Sequence, residues 1–300
     1  MRNVMARLFS LEQWGVGWAR ADILDFVERP GDVDFTWLFR PSRDEFLADP
    51  FGLERDGKLT ILAEHLRWGE PGTIVTVDVA NGSGISEVLN TGRHLSYPFV
   101  VEDDGKRWIC PEQAEAGRVA LYRLLDDSRV AATAEIELLN LALRDPTLLR
   151  RDGRWWMFGT VEPSANTQEL MLFHAEDLAG PWQPHPMNPI ASGFANCRPA
   201  GRIISRNGRL LRPAQDSSVT YGGALVLNEI VSLTPAEYRE KELRRIFPSE
   251  LPGAAADGLH HVDYTESYVL IDSKVFRWHP LAWWLKLREK RRQRALADAS

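Results

Sequence analysis

Cysteine is nearly absent from this 300-residue chain, Cys110 and Cys197 being the only two. Two are too few for a disulfide framework and show no metal-ligand spacing, so the usage fits a reducing compartment, with room for one disulfide at most. No run of twenty apolar residues occurs, which leaves no candidate for a membrane-spanning helix. Met1 to Asp22 carries basic residues without the continuous apolar stretch of a secretory leader, and the expected location is the cytoplasm. Positive charge is not in excess: 36 Lys and Arg stand against 42 Asp and Glu, a formal charge of −6, which argues against a nucleic-acid binder. Gly222-Gly223 lacks the strand and helix that would make it a phosphate loop. No cofactor and no metal are expected.

Tryptophan, by contrast, is plentiful, with eleven residues, and the chain repeats itself. Asp49-Pro50-Phe51 leads to Asp56-Gly57 and ends at Glu64; Tyr97-Pro98-Phe99 leads to Asp104-Gly105 and ends at Glu112; Asp145-Pro146-Thr147 leads to Asp152-Gly153 and ends at Thr160. The first residues stand at 49, 97 and 145, a step of 48 both times. A looser copy begins at Arg198-Pro199 and turns at Asn207-Gly208. Asp-Gly and Asn-Gly between apolar runs signal two-residue hairpins, because both central residues of a type I′ turn need positive φ. Pairing about each turn sets Asp49 opposite Glu64, Tyr97 opposite Glu112, Asp145 opposite Thr160, Ala200 opposite Gln215 and Arg198 opposite Ser217.

Hairpins recurring near every fifty residues are the sequence form of propeller blades. The expected fold is all-β, a five-bladed β-propeller over residues 1–279, with blades beginning near 49, 97, 145, 198 and 260. Residues 28–48 read as an approach to the first hairpin, and Trp14 to Ala21 as an edge strand that completes the last blade. The fifth blade is expected to run from Gly258-Val262 through Tyr268-Ile271, a turn at Asp272-Ser273, and Val275-Trp278. Most tryptophans are expected between the blade sheets. Thr234-Pro235-Ala236-Glu237 has the form of a capping box, predicting a short helix over 234–246. Residues 280–300 read as a basic helical tail: Trp283, Trp284, Leu285 and Leu287 precede Arg288, Lys290, Arg291 and Arg292. Such a helix either makes peripheral contact with an anionic membrane or packs its tryptophans on the propeller wall.

In a propeller the innermost strands all begin at one mouth of the central channel. The register therefore gathers Asp49, Tyr97, Asp145, Arg198 and His260 or His261 there, with Glu64, Glu112 and Gln215 from the second strands. Adjacent histidines on a strand point to opposite faces, so one of the pair faces the channel. Glycoside hydrolysis needs two carboxyl groups, one protonated and one ionised, and neighbouring charges divide the roles. Carboxyls on different blades look across the channel, which favours inversion. Glu64 and Glu112 are alternatively partners of Arg198 or Arg202.

The runs ADPFG (48–52), HLSYPFVVEDDG (94–105), RDPTLLRRDGRWWMFGT (144–160), GPWQPHPMNP (180–189), RPAGR (198–202), RPAQD (212–216) and LTPAEYRE (233–240) carry a resemblance. Over residues 12–277 the chain resembles the propeller domain found N-terminally in plant glucosamine inositolphosphorylceramide transferases and as bacterial stand-alone proteins. That domain is similar to five-bladed glycoside hydrolases of the arabinanase, xylosidase and invertase type. The resemblance implies Asp49 as base or nucleophile and Asp145 as the second acidic residue, which tunes pKa or stabilises the transition state. Where those hydrolases place their general-acid Glu, this chain has Arg198; the register offers Glu112 as the acid instead.

Two functions are expected. One is an inverting glycosidase acting on a carbohydrate or glycolipid, with Asp49, Glu112 and Asp145 catalytic and Glu64, Tyr97, Arg198, Gln215, His260 and His261 as substrate contacts. The alternative is a silent sugar- or glycolipid-binding propeller that serves a partner glycosyltransferase.

Overall fold

In the computed structural model, which describes residues 9–79, 84–126, 129–164 and 166–297, five antiparallel sheets stand round an axis as a five-bladed β-propeller. The first blade consists of Glu45–Arg55, Lys58–Arg67, Thr73–Val77 and Ile85–Leu89, and the second of Ser96–Asp103, Lys106–Glu112, Val119–Asp126 and Arg129–Leu139. The third is Arg144–Arg151, Arg154–Ser164, Thr167–Ala175 and Gln183–Pro184, with Ala191–Ser192 also pairing with its third strand. The fourth is Ile204–Arg206, Arg209–Asp216, Ala224–Leu233 and Tyr238–Ile246. The fifth joins the two ends of the propeller: Val262–Tyr264 and Tyr268–Trp278 pair on with Ser10–Arg20 and then Thr36–Phe39.

The hairpin turns have the backbone their residues require. Asp56, Asp104, Asp152 and Asn207 have φ of 50, 49, 52 and 51°, and the following glycines 71, 65, 74 and 74°. Register from each turn runs as expected to Phe51↔Leu62, Phe99↔Cys110 and Thr147↔Phe158. It then slips by one, so that Ala48, Ser96 and Arg144 face Glu64, Glu112 and Thr160 in place of Asp49, Tyr97 and Asp145. The displaced residues form bulges with φ of 51, 46 and 50°. Each precedes a proline, which has no N–H to lose from the ladder, while the Asp49 N–H donates to Asp272 Oδ2 and the Tyr97 N–H to Asp49 Oδ2. In the fourth blade the slip is two residues: Pro199 bridges Ala214, and the Gln215 N–H donates to the Arg198 carbonyl. Gly201 lies there at φ 122°, where a Cβ would come 1.7 Å from the Val262 carbonyl oxygen, so the fourth and fifth blades touch backbone to backbone.

Three local expectations are corrected. Residues Tyr238–Ile246 form the outer strand of the fourth blade, where a helix was expected. The Thr234 hydroxyl does accept the Ala236 and Glu237 N–H groups, but these bonds close a hairpin turn. The edge of Ala224–Leu233 takes up the segment through a full ladder and a Lys241–Glu229 ion pair, and tertiary pairing overrides local propensity. Asp272-Ser273 is no turn but the middle of Tyr268–Trp278, opposite Val16 and Gly15. Residues 28–48 contain a strand, Thr36–Phe39, which places Ser10–Arg20 inside its sheet and leaves it no free edge; Gly15 and Gly17 leave space for the rings of Phe39 and Trp37.

Buried side chains fill the wedges between blades, including Trp155, Trp156 and Trp182, while Trp278, Trp283 and Trp284 are exposed. Cys110 and Cys197 are both buried and free. Two α-helices are described: Ile23–Glu28, capped by Asp22, and Ala282–Ala297. Among the described residues no helix is long and apolar enough to cross a membrane.

Candidate functional site

At the channel mouth lies a cavity of about 580 Å³. Asp49, Glu64, Glu112, Arg198 and His260 line it. The other residues of the expected set lie beneath this wall. Asp145 is 1 % exposed and is held by Arg198, whose Nε donates to Oδ2 at 2.5 Å, and by the Gln215 amide at 3.3 Å. The amide of Gln215 also reaches the Pro199 carbonyl, so this residue positions Asp145 and is withdrawn from the cavity. The Tyr97 hydroxyl is spent on Thr147 Oγ1 at 2.7 Å and on accepting the Gly201 N–H at 2.7 Å. His261 is sealed edge-on against Phe51 and Tyr97. Tyr97, Gln215 and His261, expected as substrate contacts, therefore do not line the cavity: their polar atoms or rings are taken up beneath it.

Several residues that no repeat signalled complete the wall. Trp14 comes from the N-terminal strand and stacks on the His260 ring at 3.7 Å and 15°, while Tyr221 stands edge-on to that imidazole and under the Arg198 guanidinium. Asp272, hidden in a supposed turn, organises the floor: it accepts the N–H groups of Asp49, His260 and His261, and its Oδ2 lies 2.7 Å from His260 Nδ1. Arg144 was within reach of sequence reasoning, because it occupies the position of Ala48 and Ser96 in its repeat, one residue ahead of the bulge. Its guanidinium spans Glu112 and Glu162.

The four carboxyls do not share one protonation state. Burial pushes Glu64 well above the usual range, and Asp49, Glu112 and Asp145 add to the push. Its Oε1 lies 3.6 Å from Nε2 of His94. The His94 Nδ1 accepts the Gly72 N–H, and burial holds this imidazole neutral, so its proton sits on Nε2, facing Glu64. Burial also raises Asp49, to about 7, against the pull of His260. Glu112 goes the other way. Burial would raise it, but Arg144, His94, Arg198 and the Ala114 N–H together hold it below the ordinary value. Ser96 Oγ donates to it as well, at 2.9 Å. Burial raises Asp145 despite Arg198. His260 resists burial because Asp272 and Asp49 favour its cation, whereas burial drops His261 to about 3.

Asp49, His260 and Asp272 offer ligand atoms within 4.8 Å of one another. The Asp272 carboxylate already lies 2.7 Å from His260 Nδ1 and takes three backbone donors, so its lone pairs are matched without an ion.

A family model described as glucosamine inositolphosphorylceramide transferase 1, N-terminal, matches residues 41–266. The chain belongs to that family. A curated member from Oryza sativa subsp. japonica is 33 % identical over 120 residues, covering 36 % of this chain and 16 % of that protein. One from Arabidopsis thaliana is 30 % identical over 94 residues, covering 30 % and 12 %. The chain thus matches about one-sixth of the length of these relatives or less. Among solved structures, a family 117 glycoside hydrolase from the marine bacterium Zobellia galactanivorans superposes with TM-score 0.54 at 13 % identity, covering 89 % of this chain and 91 % of that one. A thermostable family-43 glycoside hydrolase gives 0.52 at 12 % identity, covering 72 % and 85 %. The chain thus shares the propeller fold of these glycoside hydrolases.

Proposed function

We propose that the funnel hydrolyses a glycosidic bond in a carbohydrate or a glycolipid headgroup. The observation that carries this reading is the split in protonation among carboxyls lining one cavity: Glu64 is raised well above its ordinary value and Asp49 to about 7, while Glu112 is lowered. Glycoside cleavage needs one carboxyl that still carries its proton and one that can accept a proton or attack carbon. Glu64, whose carboxyl burial pushes well above its ordinary range, is the group that keeps its proton and acts as the acid. Asp49, poised near neutrality, is the base or nucleophile. Arg198, held by Asp145, supplies fixed charge beneath the reacting sugar, and Trp68, half-buried on the cavity wall, offers a ring for it.

This changes the part expected of Glu112. With Arg144, Ser96 and the Ala114 N–H holding it ionised, it is poorly suited to donate a proton. Inversion was expected from an acid and a base on different blades, whereas Asp49 and Glu64 lie on adjoining strands of one hairpin. Retention, followed by NMR of the released sugar, would accompany the Asp49 and Glu64 pair; inversion would accompany a pair across the channel.

The curated relatives are named as transferases, but the match reaches only 16 % of the rice protein, and transferase activity is not assigned to this chain. The test is release of nitrophenol from a panel of aryl glycosides. Glu64→Gln and Asp49→Asn are expected to lower turnover on the accepted glycoside about 10²–10⁴-fold, with Glu112→Gln costing less. Full activity in Glu64→Gln would overturn the acid assignment. Sugar binding on a glycan array with no turnover on any glycoside would favour a silent propeller serving a partner glycosyltransferase.

A further inference from the structure

The helix Ala282–Ala297 has two unlike sides. Its inner side is seated: Ala282 and Leu285 are buried against Leu11, with Trp68 packed beside them. Glu289 and Arg292 reach the cavity wall, where the Arg292 guanidinium forks onto both oxygens of Glu115 at 2.8 Å. Its outer side is bare. Leu281, Trp283, Trp284 and Leu287 are 53, 54, 44 and 37 % exposed, and Trp278, just ahead of the helix, is 60 % exposed. The exposed tryptophans among the described residues are Trp283, Trp284 and Trp278. The expected packing of tryptophans on the propeller wall is therefore not what the helix does.

Charge accompanies the exposed rings. Arg288, Lys290 and Arg291 are exposed, the Arg288 guanidinium lying 5.8 Å from the Trp284 ring. Residues 286–294 carry six cations and one anion in a chain whose formal charge is −6. Indole rings beside lysine and arginine form the combination that settles at the headgroup level of a bilayer, where anionic lipids attract the cations. A second copy of the chain fits less well, because a two-fold contact would bring these cations against one another.

We propose that this face docks on an anionic lipid surface. Because the same helix supplies Glu289 and Arg292 to the cavity, docking sets the funnel mouth beside that surface.

Co-sedimentation with phosphatidylcholine vesicles, with and without phosphatidylserine, tests this on the whole chain. Retention is expected only with phosphatidylserine, falling as salt is added. Trp283→Ser with Trp284→Ser, and separately Lys290→Glu with Arg291→Glu, are each expected to weaken it at least about tenfold without changing the thermal melt, since all four side chains are exposed. Failure to bind either vesicle, or equal binding by the variants, overturns the proposal. So does a concentration-dependent dimer that the tryptophan variant abolishes, which would make a second copy the occupant.

Discussion

Blades one to three and blades four and five meet at the funnel as two unlike halves. The first three follow one plan, a bulge at positive φ before a proline and a hairpin turned by Asp-Gly, and they contribute Asp49, Glu64, Glu112 and Asp145. The last two depart from it, with short inner strands, Ile204–Arg206 and Val262–Tyr264, and with strands drawn from both ends of the propeller. They contribute Arg198 and His260, together with the rings of Trp14 and Tyr221. The regular half carries the four acids together with Arg144, and the irregular half adds Arg198 and the His260–Asp272 pair. Four buried carboxyls from a repeat alone would repel one another and take up protons together. Arg198 and the His260–Asp272 pair make their environments differ.

The sharpest way to break this comparison is at the seam, where Arg198 of the fourth blade meets Asp145 of the third. Arg198→Met leaves a buried carboxylate without its partner and is expected to cost about 3–5 kcal/mol in urea unfolding. Adding Asp145→Asn should restore part of that loss; a double variant no better than the single one would show that the seam is not an interacting pair.

A smaller effect is expected from pH. Unfolded Asp49 gives up its proton near 3.8, while the folded protein keeps it to about 7, so the native state binds the extra proton between those values. Its contribution to stability therefore falls as pH rises through that window. Asp49→Asn, which cannot ionise, should gain stability relative to the parent from pH 4 to pH 7, on the order of a few kcal/mol by its end. A difference that stays flat with pH would mean that Asp49 ionises normally.

The smallest effect sharpens the comparison from the regular side. Gly57, Gly105 and Gly153 have φ of 71, 65 and 74°, with open space where a Cβ would stand. Ala at each should cost about 1–2 kcal/mol of stability, all three alike, from backbone conformation alone. Unequal costs, measured by thermal melting, would mean that the three blades are not equivalent.

Legibility followed the same division. The hairpins, their turn type and the fivefold count could be read because Asp-Gly, Asn-Gly and the step of 48 are local or periodic signals. The funnel was half legible: Asp49, Glu64, Glu112, Arg198 and His260 stand on its wall as the register placed them, whereas Tyr97, Gln215 and His261 lie beneath it. Each is drawn down by partners that no local pattern announces: Thr147 and the Gly201 N–H for Tyr97, Asp145 and the Pro199 carbonyl for Gln215, and the rings of Phe51 and Tyr97 for His261. Trp14 was expected on the strand that completes the last blade, but its stacking on His260, and the place of Asp272 opposite Val16, depend on the register between distant strands.

Taken by itself, the order of residues determined the hairpins, their repeat and the acids that head them, because turn backbone and strand alternation depend on near neighbours. Tertiary structure alone decided that Thr234 closes a hairpin where its neighbours spell a helix cap, and that Glu64 and Glu112 differ in protonation although they hold equivalent places in successive repeats. Burial and charge act through space, and His94, Arg144 and Arg198 stand at unequal distances from the two carboxyls, so a repeat in sequence does not become a repeat in chemistry.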